Sequence, residues 1–180
     1  MNNGYRMNLQ PEARARIRSL EGAARKRALP LLAAVLADCV DGGASVGFVL
    51  PFGAAEAERY WRAAAPAMDV LLVAGDGDRI DGTVSLKFAT FPNAGHRAEV
   101  VKLLVHRSAR GRGLARGLMD AVEAEAQAAR RTTLVLDTAT GSDAEAIYRK
   151  LGWMIAGTVP NYCLMPDGTL NSTTFMYKLI

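Results

Sequence analysis

The sequence predicts a single domain of mixed α/β or α+β class. Helical patterns come first, a hairpin of two β runs follows, and a β-α-β-α passage then leads into two final strands. A chain of 180 residues, 50% of them hydrophobic, has the size of one domain with one substantial core. We expect the polar residues 1–10 to be a loose N-terminus and residues 11–180 to form the folded domain.

The first third of the chain predicts helices. The helix-prone segments are an arginine-rich stretch over residues 11–27, a second piece that ends at Gly42-Gly43, and a third from Gly53. Gly22 and Pro30 predict a break between the first two. Residues 44–50 are expected to be extended or loop.

Apolar runs with β periodicity predict six strands in the remainder. They are DVLLVAG from Asp69, IDGTVSLKFATF from Ile80, RAEVVKLLV from Arg97, TTLVLDT from Thr132, WMIAGTV from Trp153 and TTFMYKLI from Thr173. An amphipathic helix from about Leu114 and a short helix from Ala144 alternate with the central strands. A loop marked by Pro and Gly, including PNYCLMPDG, is expected between the last two strands.

Composition limits the class of function. A net charge of +4 favours an anionic partner but falls short of a dedicated nucleic-acid binder. Two cysteines cannot form a disulfide framework, so we expect a reduced, cytoplasmic protein. The apolar run from Ala28 to Ala37 is too short to span a bilayer and is expected to be a buried helix, with no membrane partner. The spacing of His, Cys and carboxylate residues predicts no metal site.

The most informative stretch is the passage from strand to helix between Val100 and Gly117. Its loop holds two glycines, which let backbone amides turn toward a ligand, and the start of the helix adds unpaired N–H groups and the positive end of a dipole. Three arginines nearby oppose that dipole: Arg110, Arg112 and Arg116. Their presence indicates a bound anion, most simply a phosphate.

Two common phosphate motifs do not fit this loop. A Walker loop needs a Lys-Ser/Thr pair after the glycines, and none is present. A dinucleotide fingerprint needs a different final spacing from that of Gly111, Gly113 and Gly117, and it opens a doubly wound sheet. A flexible basic turn without a ligand is the alternative that the loop alone leaves open.

The segment RGRGLA, from Arg110 to Ala115, resembles the Arg/Gln-x-x-Gly-x-Gly/Ala acyl-CoA signature of the GNAT-fold N-acetyltransferases, and it stands in their strand-loop-helix-strand-helix context. From about residue 30 onward, the chain further resembles the tabtoxin resistance acetyltransferases, through GGASVGF, RAEVVKLLV, SARGRGLARGLMDAVE, LDT, AEAIY and PNYCLMPDGTL. The resemblance implies one N-acetyltransferase domain over residues 11–180. Its sheet would be central, twisted, mostly antiparallel and flanked by helices, with about six to seven strands and a splayed central parallel pair.

The resemblance implies a binding site for acetyl-CoA, the acetyl donor. The loop amides would hold the pyrophosphate, the central strand would pair through its backbone with the pantetheine arm, and a β-bulge in that strand would direct an N–H to the thioester carbonyl. The doublets Val100-Val101 and Leu103-Leu104 fit such a bulge, and equally a strand buried on both faces. The implied cofactor-binding residues are Leu103, Leu104, Val105, Arg110, Gly111, Arg112, Gly113, Leu114, Ala115, Arg116 and Ser142.

Two carboxylates are candidates for the base. An aliphatic ammonium keeps its proton at neutral pH, so amine acetylation requires a base or a water relay. Glu99 opens the central strand and Asp137 ends a buried one, and the resemblance implies that both act in this role. The alternatives are an ion pair of Glu99 with Arg97 or Lys102, and capping of the turn over residues 138–142 by Asp137.

Tyr148, on the short helix after Asp137, is the third implied catalytic residue. In the family, the tyrosine of this helix donates a proton or a hydrogen bond to the departing thiolate. The alternative is a core tyrosine in a helical stripe with Ile147 and Leu151. Tyr162 and Asp167, in the last predicted loop, are candidate contacts of the acceptor.

The predicted function is therefore acetyl-CoA-dependent N-acetyl transfer to a small amino-acid-like or toxin-like amine, by direct attack in a ternary complex and without a metal. One alternative is a non-catalytic regulatory module that binds CoA or a nucleotide. Another is a nucleic-acid binder that uses the basic stretch over residues 14–27, which Glu12, Glu21 and the lack of interleaved aromatics disfavour. We expect no nucleic-acid partner, and a monomer or homodimer.

Overall fold

The computed structural model describes residues 17–76 and 78–180. The N-terminus predicted to be loose, residues 1–10, and the first part of the arginine-rich helical prediction lie outside these described residues. The strands are β1 (Ile17–Ser19), β2 (Val70–Ala74), β3 (Gly82–Phe88), β4 (Arg97–Val105), β5 (Thr133–Ala139), β6 (Met154–Leu164) and β7 (Leu170–Leu179). The α-helices are α1 (Gly22–Arg27), α2 (Leu29–Asp41), α3 (Ala54–Ala64), α4 (Leu114–Ala128) and α5 (Asp143–Lys150).

All seven of these strands lie in one sheet, in the order β1-β2-β3-β4-β5-β7-β6. Neighbours are antiparallel throughout except for β4 and β5, which are parallel. The predicted mixed, mostly antiparallel sheet with one central parallel pair is therefore confirmed. A parallel connection needs a crossover, and α4 supplies it.

The parallel pair separates part-way along its length. β4 and β5 pair only where Arg97–Glu99 meets Thr133–Val135, although both strands continue beyond that point. From Val100 onward, β4 therefore has no ladder partner on its β5 side. This confirms the predicted splay, and it leaves one edge of β4 without strand pairing beyond Glu99.

A β-bulge in β4 lies within the splayed region. Thr83 pairs with Leu104 and Ser85 with Val101, so Val84 alone faces two residues, Lys102 and Leu103. Lys102 has a φ of 54°, in the left-handed region. The structure shows both predicted arrangements: β4 has the bulge, and it is also covered on both faces, because Val100 and Leu103 pack in one core whereas Val101 and Leu104 pack in the other.

Helices cover both faces of the sheet. On the α2/α3 face the core contains Leu32, Leu36 and Trp61, all fully buried. On the opposite, α4 face it contains Leu118 and Met119, also fully buried. Each such side chain stabilises the fold by about 1.5–3 kcal/mol. The two cores hold the splayed strands between two packed layers.

The helices leave no candidate for a membrane segment in the described residues. The apolar run from Ala28 to Ala37 is confirmed as part of a largely buried helix: Ala28 is the N-cap of α2, and the rest of the run lies in α2. Among residues 17–76 and 78–180, every helix is too short or too polar to cross a bilayer.

The prediction of helix was wrong for residues 17–19. Ile17–Ser19 forms the edge strand β1, with Ile17 opposite Ala74 and Ser19 opposite Leu72 on β2. Pairing with a distant strand satisfies the backbone groups of this segment, and that gain outweighs its local helical preference.

The prediction of a loop was wrong for residues 160–164. β6 continues through Pro160 to Leu164, and the turn to β7 is confined to residues 165–169. Pro160 is tolerated because β6 is the edge of the sheet, where a missing N–H removes no ladder bond on the open side. Asn161 absorbs the irregularity at a φ of 51°.

Candidate functional site

The loop between β4 and α4 presents a cluster of backbone amides. Gly111 and Gly113 have φ values of 75° and 76°, which favour glycine, and Gly113 is the N-cap of α4. Within residues 17–76 and 78–180, the N–H groups of residues 111–113 donate to no backbone carbonyl. The first amides of α4 also lack intrahelical acceptors, as at any helix start. The loop therefore offers adjacent N–H donors at the positive end of a helix.

The arginines of this loop add positive charge at a helix start whose first turn contains no acidic residue. Arg110 Nε donates to Val105 O at 3.2 Å and Arg112 Nη2 to Ser108 O at 2.9 Å, so both side chains also brace the loop. The first turn of α4 contains Arg116 and no acidic residue. A helix start of this composition favours an anion.

An ion-pair cluster that the sequence did not predict anchors the loop to α2. Arg107 donates from its backbone N and from Nε to Asp38, each at 2.8 Å, and from Nη2 to Asp41 at 2.7 Å. Partial burial alone would raise the pKa of Asp38, but the hydrogen bonds from Arg107 hold it below its ordinary value. The anchor fixes the position at which β4 ends and the amide cluster begins.

Glu99 and Asp137 lie on the same face of the sheet. Ala98 and Val100 on β4 and Leu134 and Leu136 on β5 all belong to the core of the α4 face. Because side chains alternate along a strand, Glu99 and Asp137 project from the opposite, α2/α3 face. Both are exposed. The structure therefore brings the two predicted carboxylates to one side of the splay.

The alternative roles of these carboxylates find no support in the described part of the chain. No ion pair there joins Glu99 to Arg97 or Lys102. No hydrogen bond from the described residues joins the Asp137 carboxylate to the turn over residues 138–142, and the N-cap of the helix that follows is Ser142, whose Oγ accepts from Glu145 N at 3.2 Å. Both carboxylates remain accessible for chemistry.

Tyr148 lies on the α4 face, across the sheet from the carboxylates. Its ring is buried in that core, 6.0 Å from the Trp153 ring between centroids. Burial, and secondarily the charge of Asp137, raises the pKa of Tyr148 above its ordinary value. The phenol is therefore held in its protonated form, as a hydrogen-bond or proton donor must be.

Ser142 begins the helix that carries Tyr148, so the structure places it in the capping role. It opens a Ser-x-x-Glu sequence, which is a capping signal. The buried Glu145 of this motif accepts from Gly141 N at 2.7 Å and pairs with Arg149 Nη2 at 2.8 Å. These hydrogen bonds, of which the one from Gly141 N has the largest effect, lower the pKa of Glu145, and they orient α5.

The loop after α2 reaches across the α2/α3 face to the β6–β7 turn. Leu50 N donates to Pro166 O at 2.8 Å, and Ser45 Oγ lies 3.6 Å from Cys163 Sγ. From β4, Lys102 Nζ donates to Val46 O at 2.6 Å. This roof loop, residues 44–52, therefore covers the side of the splay on which the carboxylates lie. Lys102 was considered in the sequence only as a possible partner of Glu99.

The two predicted acceptor contacts differ in placement. Tyr162 packs edge-on against Phe175 at 5.3 Å between ring centroids, and Phe175 is the β7 partner of Asp137. Asp167 instead accepts from Thr169 N and Oγ1, at 3.0 and 2.6 Å, within the β6–β7 turn. Tyr162 is thus near Asp137, whereas Asp167 stabilises a turn.

In the described residues, no group of three or more His, Cys, Asp or Glu side chains could hold a metal ion.

The comparison with protein families decides the identity of this fold. Residues 43–153 match the model of the Acetyltransferase (GNAT) family. The chain belongs to the GNAT acetyltransferase family. Acetyl transfer is therefore its general activity, and the family uses acetyl-CoA as the donor.

Solved GNAT structures share the fold over nearly the whole chain. The ribosomal-protein-alanine N-acetyltransferase from Brucella melitensis is 23% identical, with a TM-score of 0.70 over 91% of this chain and 99% of that one. A GCN5-related N-acetyltransferase from Kribbella flavida is 21% identical, with a TM-score of 0.73 over 95% and 100%. An acetyltransferase from Salmonella typhimurium, solved with its cofactor acetyl-CoA, is 19% identical, with a TM-score of 0.71 over 91% and 92%.

Proposed function

We propose that this GNAT protein is an N-acetyltransferase that acetylates a small amino-acid-like or toxin-like amine by direct attack in a ternary complex. The observation that carries the proposal is the splay between β4 and β5. The amide cluster lies at the end of β4, two carboxylates project from one face of the splayed pair, and a protonated phenol lies on the other. The resemblance to the tabtoxin resistance acetyltransferases supports the class of acceptor, and we assign the activity to one domain over residues 11–180.

The amide cluster fits the pyrophosphate of acetyl-CoA. Its N–H groups, from Gly111 to Arg116, are suited to bind an anion. Arg110 and Arg112 each use one guanidinium nitrogen to brace the loop, and their other N–H groups can donate to a phosphate. Leu114 and Ala115 contribute the first amides of α4. Acetyl-CoA supplies the acetyl group as a thioester, which an amine can attack.

The free edge of β4 fits the pantetheine arm. Leu103, Leu104 and Val105 follow the last residue that pairs with β5, so an amide-bearing chain can approach this edge of β4, where the carbonyl of Val105 already accepts from Arg110 Nε. The bulge at Lys102 and Leu103 removes one residue from the ladder with β3 and redirects its N–H. An N–H at that point is suited to stabilise the oxyanion that forms on the thioester carbonyl.

Glu99 and Asp137 are proposed to prepare the amine. Their carboxylates attract the ammonium form of the acceptor and take its proton, directly or through water. The neutral nitrogen then forms a bond with the carbonyl carbon, and the bond from carbon to sulfur breaks as the tetrahedral intermediate collapses. Exposure of both side chains on the roof-loop side allows the acceptor to reach them.

Tyr148 is proposed to donate a hydrogen bond, or a proton, to the departing thiolate. Its raised pKa keeps the proton on the phenol, so the hydroxyl can stabilise the negative charge that develops on sulfur as the bond from carbon to sulfur breaks. Because Tyr148 and the carboxylates lie on opposite faces, the base and the acid approach the splay from two sides. Ser142 would act by capping and orienting α5 and, as the resemblance implies, would lie near the cofactor.

The test combines calorimetry with a thiol-release assay over a panel of small amines. We expect acetyl-CoA to bind and at least one amine to release CoA thiol at a rate that the Glu99→Gln/Asp137→Asn and Tyr148→Phe variants reduce. Binding of acetyl-CoA without turnover on any amine would instead support a CoA-binding regulatory module. Absence of acetyl-CoA binding would overturn both functions.

A further inference from the structure

Lys102 occupies the bulge of β4 in an unusual conformation. Its φ of 54° is one that non-glycine residues adopt only at a cost in backbone strain, and such residues cluster at functional sites. The side chain extends under the roof loop, where Nζ donates to Val46 O at 2.6 Å. The ammonium also lies 5.5 Å from the Phe48 ring centroid and 5.1 Å from that of Tyr60. The bulge thus places a cation at a defined point.

The surroundings of Lys102 join it to the candidate site. Burial, and then the charge of Lys87, lowers the pKa of Lys102, whereas Asp137 and Glu99 oppose that shift by electrostatic attraction. The ammonium lies beneath the roof loop, on the α2/α3 face from which both carboxylates project. Groups of opposite charge are thus collected on one face of the splay.

The ammonium retains hydrogen-bonding capacity. A lysine has three N–H donors, and the described residues contain one hydrogen bond and no ion pair from Lys102. An anionic group that enters beneath the roof loop can therefore accept a charge-assisted hydrogen bond from it. A simple amine would gain nothing from this cation and would be repelled by it.

We propose that Lys102 binds a carboxylate of the acceptor while Glu99 and Asp137 hold its amine, so that the enzyme selects zwitterionic amino acids over simple amines. The inference rests on the proposed acetyltransferase function and names its substrate class. Each charge of a zwitterion then faces a group of opposite sign, which a monovalent amine cannot achieve.

The test compares amino acids with their decarboxylated counterparts in the thiol-release assay. The panel contains the common amino acids and the matching amines, including lysine with cadaverine and ornithine with putrescine. We expect the parent to show at least about tenfold higher kcat/KM for its preferred amino acid than for the matching amine, the loss expected when a charged hydrogen bond is left unmade. This comparison in the parent needs no variant.

Variants then assign the preference to Lys102. Lys102→Met keeps an apolar stem and removes the charge, and it is expected to lower the ratio of kcat/KM for the amino acid to kcat/KM for the matching amine about tenfold or more, chiefly through a higher KM for the amino acid. Lys102→Arg keeps the charge and is expected to preserve the order of preference. Lys26→Met, at an exposed position on α1, is the matched control and should behave as the parent does. The thermal midpoint and the affinity for acetyl-CoA report whether each variant is folded.

The outcomes separate the inference from the function on which it rests. Equal use of amino acids and matching amines by the parent overturns the inference and leaves the acetyltransferase function standing. An equal loss of kcat/KM on amino acids and on amines in Lys102→Met means that the residue only fastens the roof loop, and this result also overturns the inference. Thiol release with neither class, despite bound acetyl-CoA, rejects the proposed function itself.

Discussion

Replacing Tyr148 by Phe removes one hydroxyl group and leaves the buried ring in place against Trp153. A buried phenylalanine at position 148 stabilises the fold almost as much as the tyrosine does, so the free energy of unfolding should change by about 1 kcal/mol or less. The proposed proton donor, in contrast, is lost entirely. The substitution therefore separates a catalytic tyrosine from one that serves only the core.

The expected loss in kcat is about 100-fold to 1000-fold, within the range typical of a general acid. At about 1.4 kcal/mol per factor of ten, this corresponds to about 3–4 kcal/mol of transition-state stabilisation. Because burial raises the pKa of Tyr148, the phenol stays protonated, and the ratio of parent to variant should be constant between about pH 7 and pH 9. The assay is steady-state thiol release with saturating acetyl-CoA, beside urea unfolding of both proteins.

Tyr177, half-buried on β7, offers the control: Tyr177→Phe should keep the kcat of the parent. A Tyr148→Phe variant that is folded and retains kcat within about threefold, well short of general-acid catalysis, would refute the role assigned to the phenol. A large fall in unfolding free energy without a fall in kcat would instead mark Tyr148 as a core residue.

Three other results are expected. In Gly113→Ala, the new side chain disfavours the φ of 76° by about 1–2 kcal/mol, so the loop must recover its conformation when the cofactor binds. Calorimetry should therefore show that acetyl-CoA binds about tenfold more weakly, and unchanged affinity would argue against the amide cluster. Glu99→Gln/Asp137→Asn should lower kcat/KM by about 100-fold or more at neutral pH and recover rate as the acceptor amine deprotonates at higher pH, whereas a flat pH profile would mean that no base was removed. Asp38→Asn should lower the free energy of unfolding at about pH 7 by about 1 kcal/mol. The pKa of Asp38 is lower in the folded protein than in the unfolded chain, so the carboxylate stabilises the fold above the unfolded pKa and this stabilisation is lost as the pH falls through the folded pKa. Urea unfolding at about pH 7 and pH 3 should therefore show a smaller loss on acidification for the variant than for the parent.

Local patterns in the sequence predicted the elements that carry the candidate site. The boundaries of β4 and the start of α4 at Leu114 are as expected, because a strand period, a glycine loop and a helix period follow one another within a few residues. Glu99, Asp137 and Tyr148 lie on these elements or on the next ones along the chain. The alternation of side chains on β4 and β5 places Glu99 and Asp137 on one face of the sheet, whereas Tyr148 lies on α5, which packs on the other face.

Contacts between distant segments account for what the sequence did not show. β1 forms because Ile17 meets Ala74, and the anchor of the amide loop joins Arg107 to Asp38, which lie 69 residues apart. Lys102 meets Val46 from 56 residues away. The sequence alone did not establish the bulge, because a hydrophobic doublet also fits a strand covered on both faces; the register against β3 reveals the bulge, and β4 is covered on both faces as well.

A crystal structure of the protein with CoA would show most directly whether the splay holds the acyl donor between the carboxylates and the phenol. We expect the pyrophosphate on the amides of Gly111–Arg116, the pantetheine arm along Leu103–Val105, and the sulfur within about 4 Å of the Tyr148 hydroxyl oxygen, a hydrogen-bond contact. A pantetheine arm that lies outside the splay, or a sulfur directed away from Tyr148, would contradict this arrangement.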